Sequence, residues 1–173
     1  MSKAKLKKEL DTFTSEQLVE VILNAYDSSK EAKAYFEFFL NPDPEKLYNS
    51  KVDIIAKELN RTKRGYCRAR ISYIRAAIRD FEAYGMGAEM VSRLMYDALC
   101  MLTGVYANTR YPDTLINGTI KLARDYIIYA DRNSMAADAL ANINKLSKSN
   151  LGTPRFRSII LRSAMDAVDE LKK

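Results

Sequence analysis

Apolar residues recur along this chain at steps of three and four, and no segment sustains the strict alternation of a half-buried strand. The plainest instance runs from Thr62 to Tyr84, where Cys67, Ile71, Ile74, Ile78 and Phe81 fall at steps of four, three, four and three. At about 100° per residue they form one narrow stripe, which predicts a single helix over 62–84 with that stripe buried. On the same wheel Arg64, Arg68, Arg75 and Arg79 lie together beside the stripe.

The pattern predicts about nine helices in all. A short basic helix covers Lys3 to Leu10, and Thr14 with Gln17 makes a capping box for a second helix to about Tyr26, with Leu18, Ile22 and Ala25 inward. Ser28 and Glu31 repeat the device for a third helix to Leu40, whose Ala32, Tyr35, Phe36 and Phe39 read as a buried aromatic face. Asp43 and Pro44 open a fourth, carrying Tyr48, Val52, Ile55 and Leu59 inward to about Asn60. Gly85-Met86-Gly87 is a turn short enough to set the helix after it, about Ala88 to Tyr106, directly against the one before. Pro112 opens a helix to about Ala130 through Ile116, Ile120, Ala123 and Ile127, with a kink or late start expected at Asn117-Gly118. Ser134 begins the next helix. Thr153 and Pro154 begin the last, with Phe156, Ile160, Ala164, Val168 and Leu171 inward. The expected fold is all-α, one domain over 1–173, built from sequential antiparallel hairpins as an irregular bundle or a short solenoid-like array.

Composition narrows the chemistry. The 47% apolar content is enough for a real core, and 28 basic against 22 acidic residues leave a mild +6. The start MSKAKLKKEL has no apolar run behind its charges, and no uncharged stretch approaches the ~20 residues a membrane span needs, so a cytoplasmic protein with no membrane partner is expected. Two cysteines suggest reduced, packed thiols rather than a disulfide framework. The absence of histidine removes Ser-His-Asp and Cys-His nucleophilic sites and the common zinc sites, and no glycine opens a phosphate-binding loop. No cofactor or metal is implied, and no enzyme is expected. Catalysis by carboxylates and tyrosines remains a third possibility without a motif. Asp166, Asp169 and Glu170 read as solvated surface, and Cys67 reads as core despite its cationic neighbours.

The candidate site is the cationic stretch itself, Lys63, Arg64, Arg68, Arg70, Arg75 and Arg79, with Tyr66 and Tyr73 available to stack. From Arg61 to Arg79 the sequence contains no Asp or Glu before Asp80. One reading makes this a surface for a protein partner or self-association. The alternative is nucleic-acid or phosphate-group binding, in which guanidiniums hold phosphates. A third is internal: the arginines bridge to acids on neighbouring helices while their stems cover the core rim. A helix-turn-helix is disfavoured, because Arg61 stands where the turn needs an apolar residue and the following helix is too long.

Three pieces, SKAKLKKELDTFTSEQLVEVILNAYDSSKEAKAYFEFFLNPD, TKRGYCRARISYIRAAIRDFEAYG and the apolar helix with LTGVYANTRY after it, resemble an uncharacterised family of small bacterial all-helical proteins, a domain-of-unknown-function family. The resemblance covers about the first two thirds of the chain. It implies a helical fold of this length with a Lys63-Arg64-Gly65 loop leading into a basic helix, and it carries no catalytic residue.

Overall fold

The computed structural model describes residues 2–172. It is all-α, with nine helices and one hairpin of two-residue strands among the described residues. The chain divides after Asp43 into two compact units.

The first unit holds α1 (Lys3–Leu10), α2 (Ser15–Ser28) and α3 (Lys30–Leu40). Thr14 and Gln17 form the expected capping box. The cap of α3 is Ser29 rather than Ser28: Ser29 is extended and its hydroxyl accepts from the Ala32 N–H at 3.0 Å, whereas Ser28 ends α2 and donates to the Ala25 carbonyl. Tyr26 holds α3 beside α2, its hydroxyl donating to Glu37 at 3.3 Å and its ring lying under the Lys33 ammonium. The expected aromatic core face is absent. Tyr35 and Phe39 are exposed, Ala32 and Phe36 only half-buried, and none of the three helices buries a residue fully.

The second unit holds α4 (Pro44–Leu59), the strands β1 (Thr62–Lys63) and β2 (Tyr66–Cys67), then α5 (Ile71–Ala83), α6 (Ala88–Val105), α7 (Asp113–Arg132), α8 (Ala136–Lys148) and α9 (Pro154–Leu171). Every substantial helix contact here joins helices one or two places apart in order, α4 with α5 and α6 and so on to α7 with α9. That is the contact pattern of stacked helical pairs, the array-like alternative of the two expected. The core runs through it as Ile55, Ile74, Phe81, Leu99, Tyr126 and Phe156, all essentially inaccessible.

Several local expectations change. The helix foreseen over 62–84 begins only at Ile71, because residues 62–70 turn back as the hairpin. α7 runs unbroken past Gly118, which is where Ile71 of α5 presses on it: a Cβ at Gly118 would stand 2.6 Å from Ile71 Cγ1. Its buried face is turned only in the first half, where Leu115 and Thr119 are inside and Ile116 and Ile120 half-covered, while Ala123 and Ile127 are buried as expected. Ser134 ends α7 rather than starting α8: it sits at φ 62 while Met135 N–H reaches back to the Ala130 carbonyl at 2.7 Å. Thr153 caps α9 as expected, but Leu171 is exposed at its end.

Candidate functional site

The cationic stretch does not lie along one helix. It divides into a hairpin and a helix face, and the two have different surroundings.

In the hairpin Thr62 pairs with Cys67 and Lys63 with Tyr66, around a two-residue turn at Arg64 and Gly65. Both turn residues have positive φ, 52 and 76, the geometry that suits the twist of a tight hairpin. Glycine adopts it freely, but for arginine the left-handed region costs about 1–2 kcal/mol. The loop before α7 reinforces the hairpin: Cys67 N–H donates to the Arg110 carbonyl at 2.9 Å, and Arg110 N–H to the Gly65 carbonyl at 3.1 Å. Cys67 points into the core, its thiol 3.8 Å from the Leu59 carbonyl, which settles it as a packed residue.

Both roots of the hairpin are pinned to one buried carboxylate. Glu58, near the end of α4, accepts from Arg61 Nη1 at 2.9 Å, from Arg70 Nε at 2.9 Å and Nη2 at 3.1 Å, and from the Arg70 backbone N–H at 2.8 Å. The Arg70 side chain, helped by its backbone N–H and by the Arg61 charge, holds the Glu58 carboxyl down at about 2 against an ordinary 4.5. Arg70 also lies 3.4 Å over the Tyr73 ring. Arg70 is thus a fastening, not a free binding group.

Beyond these roots the charge is unneutralised. Lys63, Arg64 and Arg68 are exposed and form no ion pair among the described residues. Tyr66 is 45% exposed, and Arg110 lies beside its ring and donates to its hydroxyl at 3.2 Å. Arg110 is a fourth cation at this site, and no local sequence signal pointed to it, since only the tertiary fold brings it there. Next to them Tyr66, Arg68, Pro112 and Thr114 line a shallow cleft of about 510 Å³, at the first turn of α7, which receives no side-chain cap.

Arg75 and Arg79 belong elsewhere. They lie on α5 at the edge of a separate cleft of about 350 Å³ floored by Ile78, Val91 and Leu122. Arg75 is paired with Asp125 of α7, while Arg79 is exposed. Of the predicted site residues, therefore, Lys63, Arg64, Tyr66 and Arg68 come together, Arg70 anchors them, and Arg75 and Arg79 do not join them. The internal-bridge expectation holds for Arg61, Arg70 and Arg75. Glu170 of the acidic cluster on α9 pairs with Arg124, as a surface role requires.

Residues 1–151 match DUF6155, described as a family of unknown function. The chain belongs to that family. The DUF6155 match extends beyond the first two thirds of the chain and stops just before α9, although Phe156, Ile160 and Ala164 of that helix are buried in the second unit. No curated protein and no solved structure matches the chain. No helix among the described residues is long and apolar enough to cross a membrane.

Proposed function

We propose that this chain is a non-enzymatic interaction module that takes a short acidic segment of a protein partner on its cationic hairpin. The observation that carries the reading is Arg64: it occupies a turn position that disfavours arginine, yet it makes no hydrogen bond or ion pair among the described residues. Lys63, Arg68 and Arg110 stand with it, on a hairpin whose roots are fixed by Glu58. A preset cationic surface loses little entropy when a carboxylate docks, which favours binding.

The size of the site weighs against nucleic acid as the main ligand. Four cations without a carboxylate partner neutralise about four phosphates, giving a salt slope near −3 on a single strand, whereas six to ten phosphate contacts give about −4 to −7. Exposed Tyr66 suits a base, whereas one face of the exposed Tyr73 ring is already covered by Arg70, and the same titration reads this stacking.

The test compares the wild type with a Lys63→Gln, Arg64→Gln, Arg68→Gln variant, using a fluorescent oligoglutamate peptide and a single-stranded oligonucleotide at several salt concentrations. Loss of peptide binding at an unchanged melting temperature is the expected result. Equal binding by the variant, or a lower melting temperature with no binding change, overturns the proposal. Oligonucleotide binding that is tighter than peptide binding and steeper than about −3 in salt favours the nucleic-acid reading.

A further inference from the structure

The cleft beside Arg75 and Arg79 lies wholly within the second unit and is separate from the cationic hairpin. Ile71 of α5 presses on Gly118 of α7, and about one turn later along α5 Arg75 pairs with Asp125. From that pair onward the two helices flank an opening of about 350 Å³, with Val91 and Met95 of α6 forming part of its floor. Ile78 and Leu122 complete that apolar floor, and half-buried Ile128 and Tyr129 line it from α7. The volume is at the lower end of small-molecule sites, which are apolar clefts with a few converging polar groups.

Three polar groups at this opening have no partner in the fold. Arg79 and Arg132 are exposed and form no ion pair among the described residues, and the Tyr129 hydroxyl makes no hydrogen bond among them. Arg75 differs, because Asp125 already neutralises it. Glu82 also lines the opening, with no ion pair among the described residues. Burial, with the Glu82 charge behind it, raises the Tyr129 phenol above its ordinary value, so it stays a neutral donor. Three arginines against two carboxylates leave the lining with a net charge of +1. That excess matches one carboxylate better than a phosphate group, which carries about −1.5 to −2.

We infer that this cleft binds a small amphiphile with a single carboxylate, its apolar body on the floor of Ile78, Val91, Met95 and Leu122 and its head held by Arg79, Arg132 and the Tyr129 hydroxyl. A guanidinium meets a carboxylate through paired N–H donors, and apolar surroundings strengthen that contact by excluding water. A cationic head would be repelled by the same arginines, and an uncharged one would leave them unanswered. The Arg75–Asp125 pair joins the two walls before any ligand arrives, so little order is lost on binding.

The test titrates sodium octanoate into the full chain at neutral pH, isotope-labelled at its methionine methyl groups, and follows the Met95 signal by nuclear magnetic resonance. Met95 is one of seven methionines, and its signal is assigned by its loss in Met95→Leu. Because Met95 lies in the floor, it distinguishes this site from the exposed apolar side chains of the first unit. A saturable Met95 shift with octanoate is expected, with weaker binding of octan-1-ol and of octylammonium. Arg79→Gln with Arg132→Gln is expected to bind octanoate about tenfold more weakly, the worth of one charge-assisted hydrogen bond. A Met95 signal that does not move overturns the inference, as does equal binding of octan-1-ol or octylammonium, or unchanged octanoate binding by the double variant. If the double variant melts lower than the wild type, the wild type alone decides: its octanoate binding must weaken as sodium chloride rises, and salt-independent binding overturns the inference.

Discussion

Substituting Gly118 by alanine sets two effects of similar size against each other. In an open helix interior the change gains about 1 kcal/mol, since alanine is the better helix former. At Gly118 the new methyl group would stand 2.6 Å from Ile71 Cγ1 and 2.9 Å from Cγ2, inside van der Waals contact. Ile71 opens α5, and its β-branched side chain is stiff at χ1, so most of the clash must be relieved by a small shift of the two helices. Overpacking of this kind costs about 1–3 kcal/mol, which leaves a net loss of roughly 0–2 kcal/mol. Truncating the wall eases the clash without removing it. In an Ile71→Ala background only Cβ remains, still close at 3.0 Å, so Gly118→Ala is expected to cost less there than in the wild type. The four chains form a double-mutant cycle, read as urea midpoints at constant m-value, with an interaction energy of about 1 kcal/mol. Stabilisation of the wild-type background by the full ~1 kcal/mol would refute the close crossing of α5 and α7.

Glu58→Gln is expected to cost about 2–3 kcal/mol at neutral pH, through weaker bonds to Arg61 and Arg70. Because folding lowers the Glu58 carboxyl from 4.5 to about 2, its contribution is complete above pH 4.5 and is lost as the pH falls through about 2. Unfolding free energies measured down that acid range should therefore fall more steeply for wild type than for Glu58→Gln, and parallel curves would contradict the assignment. Arg157 of α9 donates from Nε to the Ser147 carbonyl at 3.1 Å and from Nη1 to the carbonyls of Leu151 at 2.6 Å and Gly152 at 3.2 Å. A lysine there cannot span these three acceptors, so Arg157→Lys should lower stability by about 2 kcal/mol, and an unchanged thermal midpoint would exclude this fastening.

Helix existence was legible wherever a local device announced it. Thr14 with Gln17, Pro44, Gly85 with Gly87, and Thr153 with Pro154 act within a few residues of themselves, and each stands where the pattern placed it. The hairpin was hidden for two reasons. Arg-Gly is an unusual pair for a tight turn, and Cys67 happens to continue the spacing of Ile71, Ile74 and Ile78 although it reaches the core from a strand. Periodicity also shows that α2 and α3 have apolar faces without showing whether anything in the chain covers them. At the site, the sequence reading named the cationic residues but could not sort them. Which arginines are neutralised depends on Glu58 and Asp125, and which cation is added depends on Arg110, all brought in by tertiary packing.

The near-neighbour layering of α4 to α9 bears on how the chain acquires its shape. When each helix rests mainly on those adjacent in order, few loops must close across long stretches of sequence before contacts begin to reward them, and the search is short. Such a stack can begin forming at any pair and extend outward, and it frays from its ends inward. The more lightly packed end layer is then the first to open: α4, whose only substantial helix neighbours are α5 and α6, should exchange its amide hydrogens ahead of α7 and α9, well before the body of the stack comes apart.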